Sequence, residues 1–552
     1  MAEVARPGAR PDYRDRVTAS MLWAAWADAV GFISELTDES GLRRRTDGRP
    51  LDTSMDWKRR VGGQYGVQAS LPAGTYSDDT QLRLAVTRSI SEHGFDVEAF
   101  ARIELPVWPA YALGGGRASR AAAAGMAKAT ATWHTNFYDG WTKAGGNGAA
   151  MRIQPHVWAG GLDDTYIVPV LRDVVVTHGH PRAIVGAVLH AVALAFSLRQ
   201  RHAPAVSDWA SLVNATHRAV RFFSDDRDLA NIWVPAWERE EQRSFEQAWG
   251  ETVDEVAELL TAGDRFVTEI HRDGADSVEA YRRMVEKMGL TDKRTLGSGT
   301  ASVTAAMAVA AAYPNRPAEA TVLVANAVGT DTDTIATITA AMVAAGAPAA
   351  LPGPVQDEQY LRQEAARLAS IAEHEPTRSF AYPDTLKWRP PQSQLDAVGT
   401  AAGGLVLAGL AWLEPLDVPL TSKDAGWSWM RTSIGMTVLV KHRLEPRPLP
   451  AGNLPSLRTT PEGAVRRAPD GTYETLFDDD EPATPEPEAE LEPAPQPPAP
   501  VSASLDTVFQ RLIDDGADDA RVGNALREVA RHGTRDQFAV LTGQLWALLR
   551  EQ

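Results

Sequence analysis

The sequence predicts a mainly α fold: an all-α orthogonal bundle, then a small appended α/β element, then a C-terminal helical module. Three observations carry this. Through residue 375, apolar residues recur at helical spacing in long runs, many rich in Ala, while strand-like alternation is scarce. From 376 to 450 the texture changes. Pro383, Pro390, Pro391, Trp388, Trp412, Trp427 and Trp429 collect there, and Thr432 to Lys441 alternates with period two through Ile434, Met436, Val438 and Val440. After a Pro-rich acidic tract, residues 505–552 return to helical periodicity. The expected division is a main domain over 1–375, an appended element over 376–450, a linker over 451–504 and a three-helix module over 505–552.

The first helix covers residues 14–30, with Met21, Leu22, Trp23 and Trp26 apolar and Asp28 near its end, where a lone Asp caps or pairs. Residues 40–75 are polar and Gly-rich and are expected to form a loop. Helices follow at 79–92, 96–105 and 118–130. Residues 138–150 hold Gly140, Gly145, Gly146 and Gly148. They make either a turn in which backbone approaches a ligand closely or an ordinary connection. Helices at 163–176 and 181–199 join at Thr177-His178-Gly179-His180-Pro181, with Pro181 suited to a first helical turn. Charged amphipathic helices over 203–290 present a solvated face. Ala-rich helices at 299–312 and 317–328 bracket Pro314, and a further helix covers 357–373. Residues 403–413 fit either helix or strand.

The tract 451–504 is rich in Pro, Glu, Asp, Ala and Thr. It is too poor in apolar residues to offset chain entropy and is expected to be disordered. Beyond it come three apolar stripes. Leu505, Val508, Phe509 and Leu512 form the first; Val522, Leu526 and Val529 the second; Phe538, Leu541, Leu545 and Leu548 the third.

At 552 residues the chain is too long for one ordinary core, and its 44% hydrophobic content supports a globular interior. A net charge of −17 without a long Lys/Arg run weighs against sequence-independent binding to nucleic acid or anionic membrane. The absence of cysteine excludes disulfides, thiol catalysis and thiolate metal sites. The N-terminus lacks the apolar segment of a signal peptide. The Ala- and Gly-rich runs near 300–312 and 400–413 fall short of the ~20 residues of a spanning helix. A cytoplasmic protein is expected.

Two short acidic clusters stand out. Asp331 and Asp333 sit one residue apart in Gly329-Thr-Asp-Thr-Asp-Thr334, ahead of an apolar, small-residue run that reads as a buried helix. That places them at its N-cap and first turn, where carboxylates accept free backbone N–H groups. One Asp suffices for capping; a second adds repulsion unless a cation sits between. The same device recurs as Ser77-Asp78-Asp79-Thr80-Gln81 before Leu82, Leu84, Ala85 and Val86. Brought together by the fold, the clusters offer four carboxylates and several hydroxyls. An all-oxygen set favours Mg²⁺, Mn²⁺ or Ca²⁺ over Zn²⁺ or copper. Four carboxylates exceed what one Mg²⁺ usually takes from protein, which favours two ions.

With these runs the sequence resembles the ADP-ribosylglycohydrolases, which include the dinitrogenase reductase-activating glycohydrolases and the ADP-ribosyl-acceptor hydrolases. Four motifs carry the resemblance, in the family's order, over about residues 14–375. They are Ser77 to Gln81; Thr330 to Ala336, with Thr330 where Gly is usual; Asn147-Gly-Ala-Ala-Met151-Arg-Ile-Gln-Pro155; and Asp28-Ala-Val-Gly31 through Glu35.

The resemblance implies hydrolysis of the glycosidic bond between an ADP-ribosyl group and its acceptor. It implies two Mg²⁺ ions, or Mn²⁺, held by Ser77, Asp78, Asp79, Asp331, Asp333 and Thr334. Glu35 becomes the acid/base candidate, though it also fits an exposed Glu after a turn. Asn147, Gly148, Ala149 and Met151 become the loop around the diphosphate and distal ribose, with His178 beside them; a capping or core histidine fits His178 as well. Arg152 meets either a phosphate or a structural carboxylate. Ser77 for Thr keeps an oxygen, while Thr330 for Gly adds a Cβ beside the expected ions. The expected substrate is an ADP-ribosylated protein, and the C-terminal module is expected to bind itself or another protein. Two alternatives stay open: a module that binds ADP-ribose without hydrolysing it, and a defence component that antagonises an ADP-ribosylating toxin.

Overall fold

A helix with no polar face must be buried all round, and the first helix obeys this. In the computed structural model it is α1 (Tyr13–Ser34), begun by Asp12 and Asp15 in a capping box and buried along nearly its whole length. The structure describes residues 12–456 apart from 129, 161–163, 273 and 424, together with 466–467, 473–474 and 526. The other helices that build or support the site are α2 (Asp78–Arg88), α3 (Ile167–Thr177), α4 (Pro181–Gln200), α5 (Phe245–Ile270), α6 (Gly299–Ala312), α7 (Thr332–Gly346) and α8 (Glu358–Ala372). The Ala-rich α6 and the small-residue α7 are buried on every side, and α5 carries its charges outward.

The central pair is α1 against α7. Ser20 Oγ donates to Ala341 O, Thr337 Oγ1 to Ala24 O and Thr332 Oγ1 to Gly31 O, at 2.8, 2.7 and 2.8 Å. As residue numbers rise on one helix they fall on the other, so the two run antiparallel. Close approach is possible because of Gly31: a Cβ there would stand 2.5 Å from Asp333 Cα. Antiparallel packing brings the end of α1 to the start of α7.

Among the described residues two helices, α1 and α4, match a membrane-spanning helix in length and composition, rather than the two runs singled out by sequence. In each the apolar window is 89% buried inside the protein.

The expected loop over 40–75 is instead partly regular. Glu39–Arg45 is helical, and β1 (Trp57–Val61) pairs antiparallel with β2 (Val67–Leu71), Arg59 opposite Ala69. The pairing hides in the sequence because Gly62, Gly63 and Gly66 crowd the turn between two short strands.

The 376–450 element is a six-stranded antiparallel sheet: β3 (Val398–Ala401), β4 (Gly404–Leu407), β5 (Ala411–Pro415), β6 (Leu420–Ser422), β7 (Ala425–Thr432) and β8 (Thr437–Arg443). The order is β8-β7-β5-β4-β3, with β6 paired to β7. Residues 403–413 are therefore strands. The single strand expected over 432–441 is the end of β7, a turn and most of β8, the turn passing through Gly435 at φ +96°.

This sheet shares the core of the helical domain. Arg88 on α2 makes a buried two-bond pair with Glu104, at 2.7 and 2.8 Å, and its Nη1 also meets Met436 Sδ at 2.8 Å. Tyr382 donates to the same Glu104 at 2.8 Å, and Trp388 donates to Arg102 O at 2.7 Å. The linker boundary at 451 also needs moving. Asn453 is buried and exchanges bonds with Arg389 N and O at 3.0 and 2.7 Å. By its internal contacts the chain forms two units, Met1–Phe477 and Asp478–Gln552. Most of the expected linker and the three-helix module lie outside the described residues.

Candidate active site

Each acidic cluster occupies a helix N-terminus, as its sequence implies. Ser77 is the N-cap of α2 and accepts Asp79 N–H at 3.1 Å; Asp331 is the N-cap of α7. Asp333 Oδ1 accepts Thr334 N–H at 2.9 Å, and Asp331 stands close enough to raise the Asp333 carboxyl. The positive ends of both helices thus face the carboxylates.

Asp28 joins them from α1. It is fully buried and caps α2 from outside, accepting from Ser77 N at 3.0 Å, Thr80 N at 3.0 Å and Thr80 Oγ1 at 2.6 Å. The sequence left Asp28 as a cap or an ion pair; it is the cap of a different helix. Glu35 follows the last turn of α1, where its N–H still reaches Gly31 O at 3.0 Å. Its carboxylate meets Arg59 Nη1 at 3.1 Å and is 14% exposed, so it is not a surface Glu.

Burial and mutual repulsion govern the ionisation of this set. Burial pushes Asp78 up to about 8, with Glu35 and Asp28 adding repulsion. Asp79 is raised well above the carboxylate range by burial and by Asp28, Asp78 and Asp331. Asp333 is raised likewise by burial and by Glu35, Asp79 and Asp331. Burial raises Glu35 too, against the pull of Arg59. Asp79 Oδ2 is buried without a hydrogen-bond partner. These carboxyls hold their protons to higher pH than usual unless positive charge is brought to them, and Asp79 Oδ2 is an unused acceptor. Oxygen ligands of this kind are what a hard cation takes. Among the described residues, no group of three or more His, Cys, Asp or Glu side chains is gathered so as to hold an ion. Ser77 Oγ is already engaged as a cap and keeps one lone pair.

Two loops close over the clusters. Gly114, at φ +141°, passes so near Asp78 that a Cβ would stand 2.0 Å from Oδ1. The loop at 145–148 pairs with 297–299 through Asn147 N–H to Gly297 O at 2.8 Å and Gly299 N–H to Gly145 O at 3.0 Å. Asn147 Nδ2 then reaches Asp331 Oδ2 and Ser302 Oγ, both at 2.9 Å. So Asn147 lies at the second acidic cluster. Ala149 and Met151 are buried in the core below the loop. Arg152 meets a structural carboxylate: it donates to Asp173 Oδ1 at 2.9 Å, and its Nη1 holds Gly148 O at 2.7 Å. His178 is buried beside Gly148, bonded to Thr177 Oγ1 at 2.7 Å, and burial pushes it down to about 3, so the ring is neutral.

The sequence profile of the family described as ADP-ribosylglycohydrolase matches residues 9–379. The chain belongs to the ADP-ribosylglycohydrolase family. The match ends near the start of the six-stranded sheet, so this glycohydrolase-family protein carries the sheet outside the matched region. One solved structure, described as an ADP-ribosylglycohydrolase-related protein complex, is similar at 19% identity. The similarity covers 65% of this chain and 99% of that one, with a TM-score of 0.39. No curated protein matches.

Sequence reasoning missed three side chains of this candidate site. Arg59 went unseen because its hairpin did. Ser302, which holds Asn147, sits in an Ala-rich helix that signals only packing. Arg83, fully buried on α2, donates to Gln154 Oε1 at 3.2 Å, Thr80 Oγ1 at 3.2 Å, Met151 O at 3.2 Å and Thr337 Oγ1 at 2.6 Å. It ties α2, the 147–155 motif and α7 together. Its one sequence signal was a charge on the apolar face of a short helix.

Proposed function

We propose that this protein is a divalent-metal-dependent hydrolase that cleaves the glycosidic bond between ADP-ribose and an acceptor. Family membership supports the glycohydrolase class. The observation that carries the metal dependence is the buried acidic cluster with its unpartnered Asp79 Oδ2. Asp78, Asp79, Asp331 and Asp333 would hold the ions, with the hydroxyls of Ser77 and Thr334 available beside them. Bound there, divalent ions would supply Lewis acidity to ribose hydroxyls and to a water.

The chain's own residues do the rest. Cleavage builds positive charge on the ribose, which carboxylates of a cluster beside it would stabilise. Arg59 occupies Glu35 Oε2, which leaves Oε1 to carry a proton; burial keeps that proton on to higher pH than usual. Glu35 can then give it to the leaving acceptor or take one from the attacking water. Neutral His178 lines the loop without adding positive charge. Asn147 fixes Asp331, and Arg152 fixes the Gly148 carbonyl.

The test is a panel of ADP-ribosylated acceptors (arginine-, serine- and nucleobase-linked, and free metabolites) assayed with Mg²⁺ and with chelator. Turnover of one linkage, lost in chelator and restored by Mg²⁺ or Mn²⁺, is expected. Glu35→Gln should keep ADP-ribose binding and lose about 10²–10⁴-fold in kcat. Full activity after exhaustive metal removal would sink the reading.

A further inference from the structure

We propose that the six-stranded sheet is a working part of the active site: it fixes the β1–β2 hairpin so that Arg59 positions the Glu35 carboxylate. The inference rests on the hydrolase reading above and gives the sheet, which lies outside the family match, a role in the reaction.

Glu35 needs outside help to stay in place. It is the residue at which the chain leaves α1, with extended backbone at φ −58° and ψ 136°. Leu36 after it is exposed at φ +48°. The helix therefore does not orient the side chain. Arg45 holds the Glu35 carbonyl at 2.8 Å, but Arg59 holds the carboxylate. Arg59 itself is packed in place: its guanidinium lies 4.3 Å from the Phe32 ring centroid, and Phe32 packs edge-to-face on Trp57 at 5.2 Å.

An isolated two-stranded hairpin is marginal in water, so this one must be held from both sides. The α1 side is the Phe32–Trp57 contact. The other side is the sheet. Trp429 Nε1 on β7 donates to Ser70 O on β2 at 3.1 Å, and Ser70 pairs with Lys58, the neighbour of Arg59. Ser422 Oγ on β6 donates to Tyr65 O in the hairpin turn at 2.6 Å. Lys423 Nζ lies 4.0 Å from the Tyr65 ring centroid, and the Trp427 ring packs against Gly62. The sheet can act as a fixed support because its other end is locked to the helical core through Arg88, Glu104, Tyr382 and Met436. The relay is continuous: helical core, sheet, hairpin, Arg59, Glu35.

The experiment uses full-length protein carrying Trp427→Ala with Trp429→Ala, then Arg59→Ala, Arg59→Lys, and Trp412→Ala as a control elsewhere on the sheet. Three quantities are read: melting temperature, amide hydrogen exchange over 57–71, and kcat and KM on a small ADP-ribosylated substrate. The double variant is expected to exchange these amides at least about 10-fold faster, since the hairpin opens locally. Its kcat should fall about 10–100-fold, the cost of a carboxylate displaced by an ångström or so, with KM within about 2-fold. Arg59→Ala should reproduce the kcat loss, and Arg59→Lys should recover part of it by restoring the charge without the fork. Trp412→Ala should change neither. Unchanged exchange in the double variant overturns the proposal. So does wild-type kcat in Arg59→Ala, or a loss that falls on KM alone. If wild-type protein turns over no ADP-ribosylated substrate, the hydrolase reading is what fails. The exchange measurement then still decides whether the sheet holds the hairpin.

Discussion

Asp28 Oδ2 accepts both the backbone N–H and the hydroxyl of Thr80, at 3.0 and 2.6 Å, so a carboxylate on one helix caps the start of another. An N-cap of this kind is worth about 1–2 kcal/mol, and hydrogen bonds to a charged group add to that when buried. Asp28→Ala is therefore expected to destabilise the protein by roughly 2–4 kcal/mol, because it leaves Ser77 N and Thr80 N unpaired in the interior. Asp28→Asn keeps one acceptor oxygen and should lose less. Denaturant unfolding of both variants checks this. Equal stabilities for Asp28→Ala and wild type would mean that α2 finds another cap.

The acidic cluster predicts opposite effects of one substitution with and without metal. Asp79 is held far above the usual carboxylate range by burial, Asp28, Asp78 and Asp331. Asp79→Asn removes that repulsion, so without metal its melting temperature should equal or exceed the wild type's. With Mg²⁺ at about 100 times its dissociation constant, the wild type should gain about 2.7 kcal/mol. Asp79→Asn should gain little. Asp331→Asn should likewise gain little from Mg²⁺, and it also disturbs Asn147, which donates to Asp331. Thermal melts across a metal titration give the answer, and a full metal-induced shift in Asp79→Asn would remove Asp79 from the ligand set.

How much was legible depended on whether a feature was local. Ser77, Asp78, Asp79, Asp331 and Asp333 announce themselves because cap and cluster lie within a few residues of each other. The helices of the core follow from their long apolar, Ala-rich runs; the 299–312 helix appears with the expected ends. What was missed or left open needed partners distant in sequence. Asp28 is a plain acidic residue until Thr80 arrives from 52 positions away. Arg152 fitted a phosphate or a structural carboxylate equally until Asp173 folded onto it. Arg59 sits in Trp-Lys-Arg-Arg-Val, whose alternation is too short to separate a strand from a loop. The period-two run at 432–441 misled for the converse reason: Gly435 breaks the strand, and apolar alternation continues across the turn.

Buried histidines predict acid sensitivity. His190 on α4 donates from Nδ1 to Ala150 O at 2.8 Å, while Nε2 is buried without a partner. A proton on Nε2 would have no acceptor, and burial pushes His190 down to about 4 from 6.5. Between those values the unfolded chain binds a proton and the folded chain does not. The stability tied to the neutral ring is whole above pH 6.5 and falls as the pH drops toward 4, by up to about 1.4 kcal/mol per pH unit. His180, pushed to about 4, and His178, pushed to about 3, act in the same direction. His190→Asn keeps a donor for Ala150 O and cannot titrate, so its stability should fall less steeply on acidification. Unfolding free energies from pH 7 to 4.5 make the comparison, and identical slopes would show that His190 does not titrate as described.

The last prediction concerns where the catalytic unit ends. A cut after Pro450 follows the change in composition, but it removes Asn453, whose side chain bonds both Arg389 N and Arg389 O, and whose carbonyl accepts Gly409 N–H at 2.7 Å. Three backbone groups at the join of sheet and helical core would lose their partners, at about 1–3 kcal/mol for each one left buried. Truncation after Pro450 should therefore lower the melting temperature measurably and, through the sheet, lower kcat. Truncation after Ser456 keeps these bonds and should retain wild-type stability and turnover on a small soluble substrate. Residues beyond it carry three apolar stripes, and a unit of under ~70 residues has little core of its own. Their loss should therefore show in self-association or recruitment, read as solution mass or partner capture. Loss of turnover in the Ser456 truncation would place the C-terminal residues inside the catalytic unit, and equal stability of the two truncations would mean that Asn453 does not anchor the sheet.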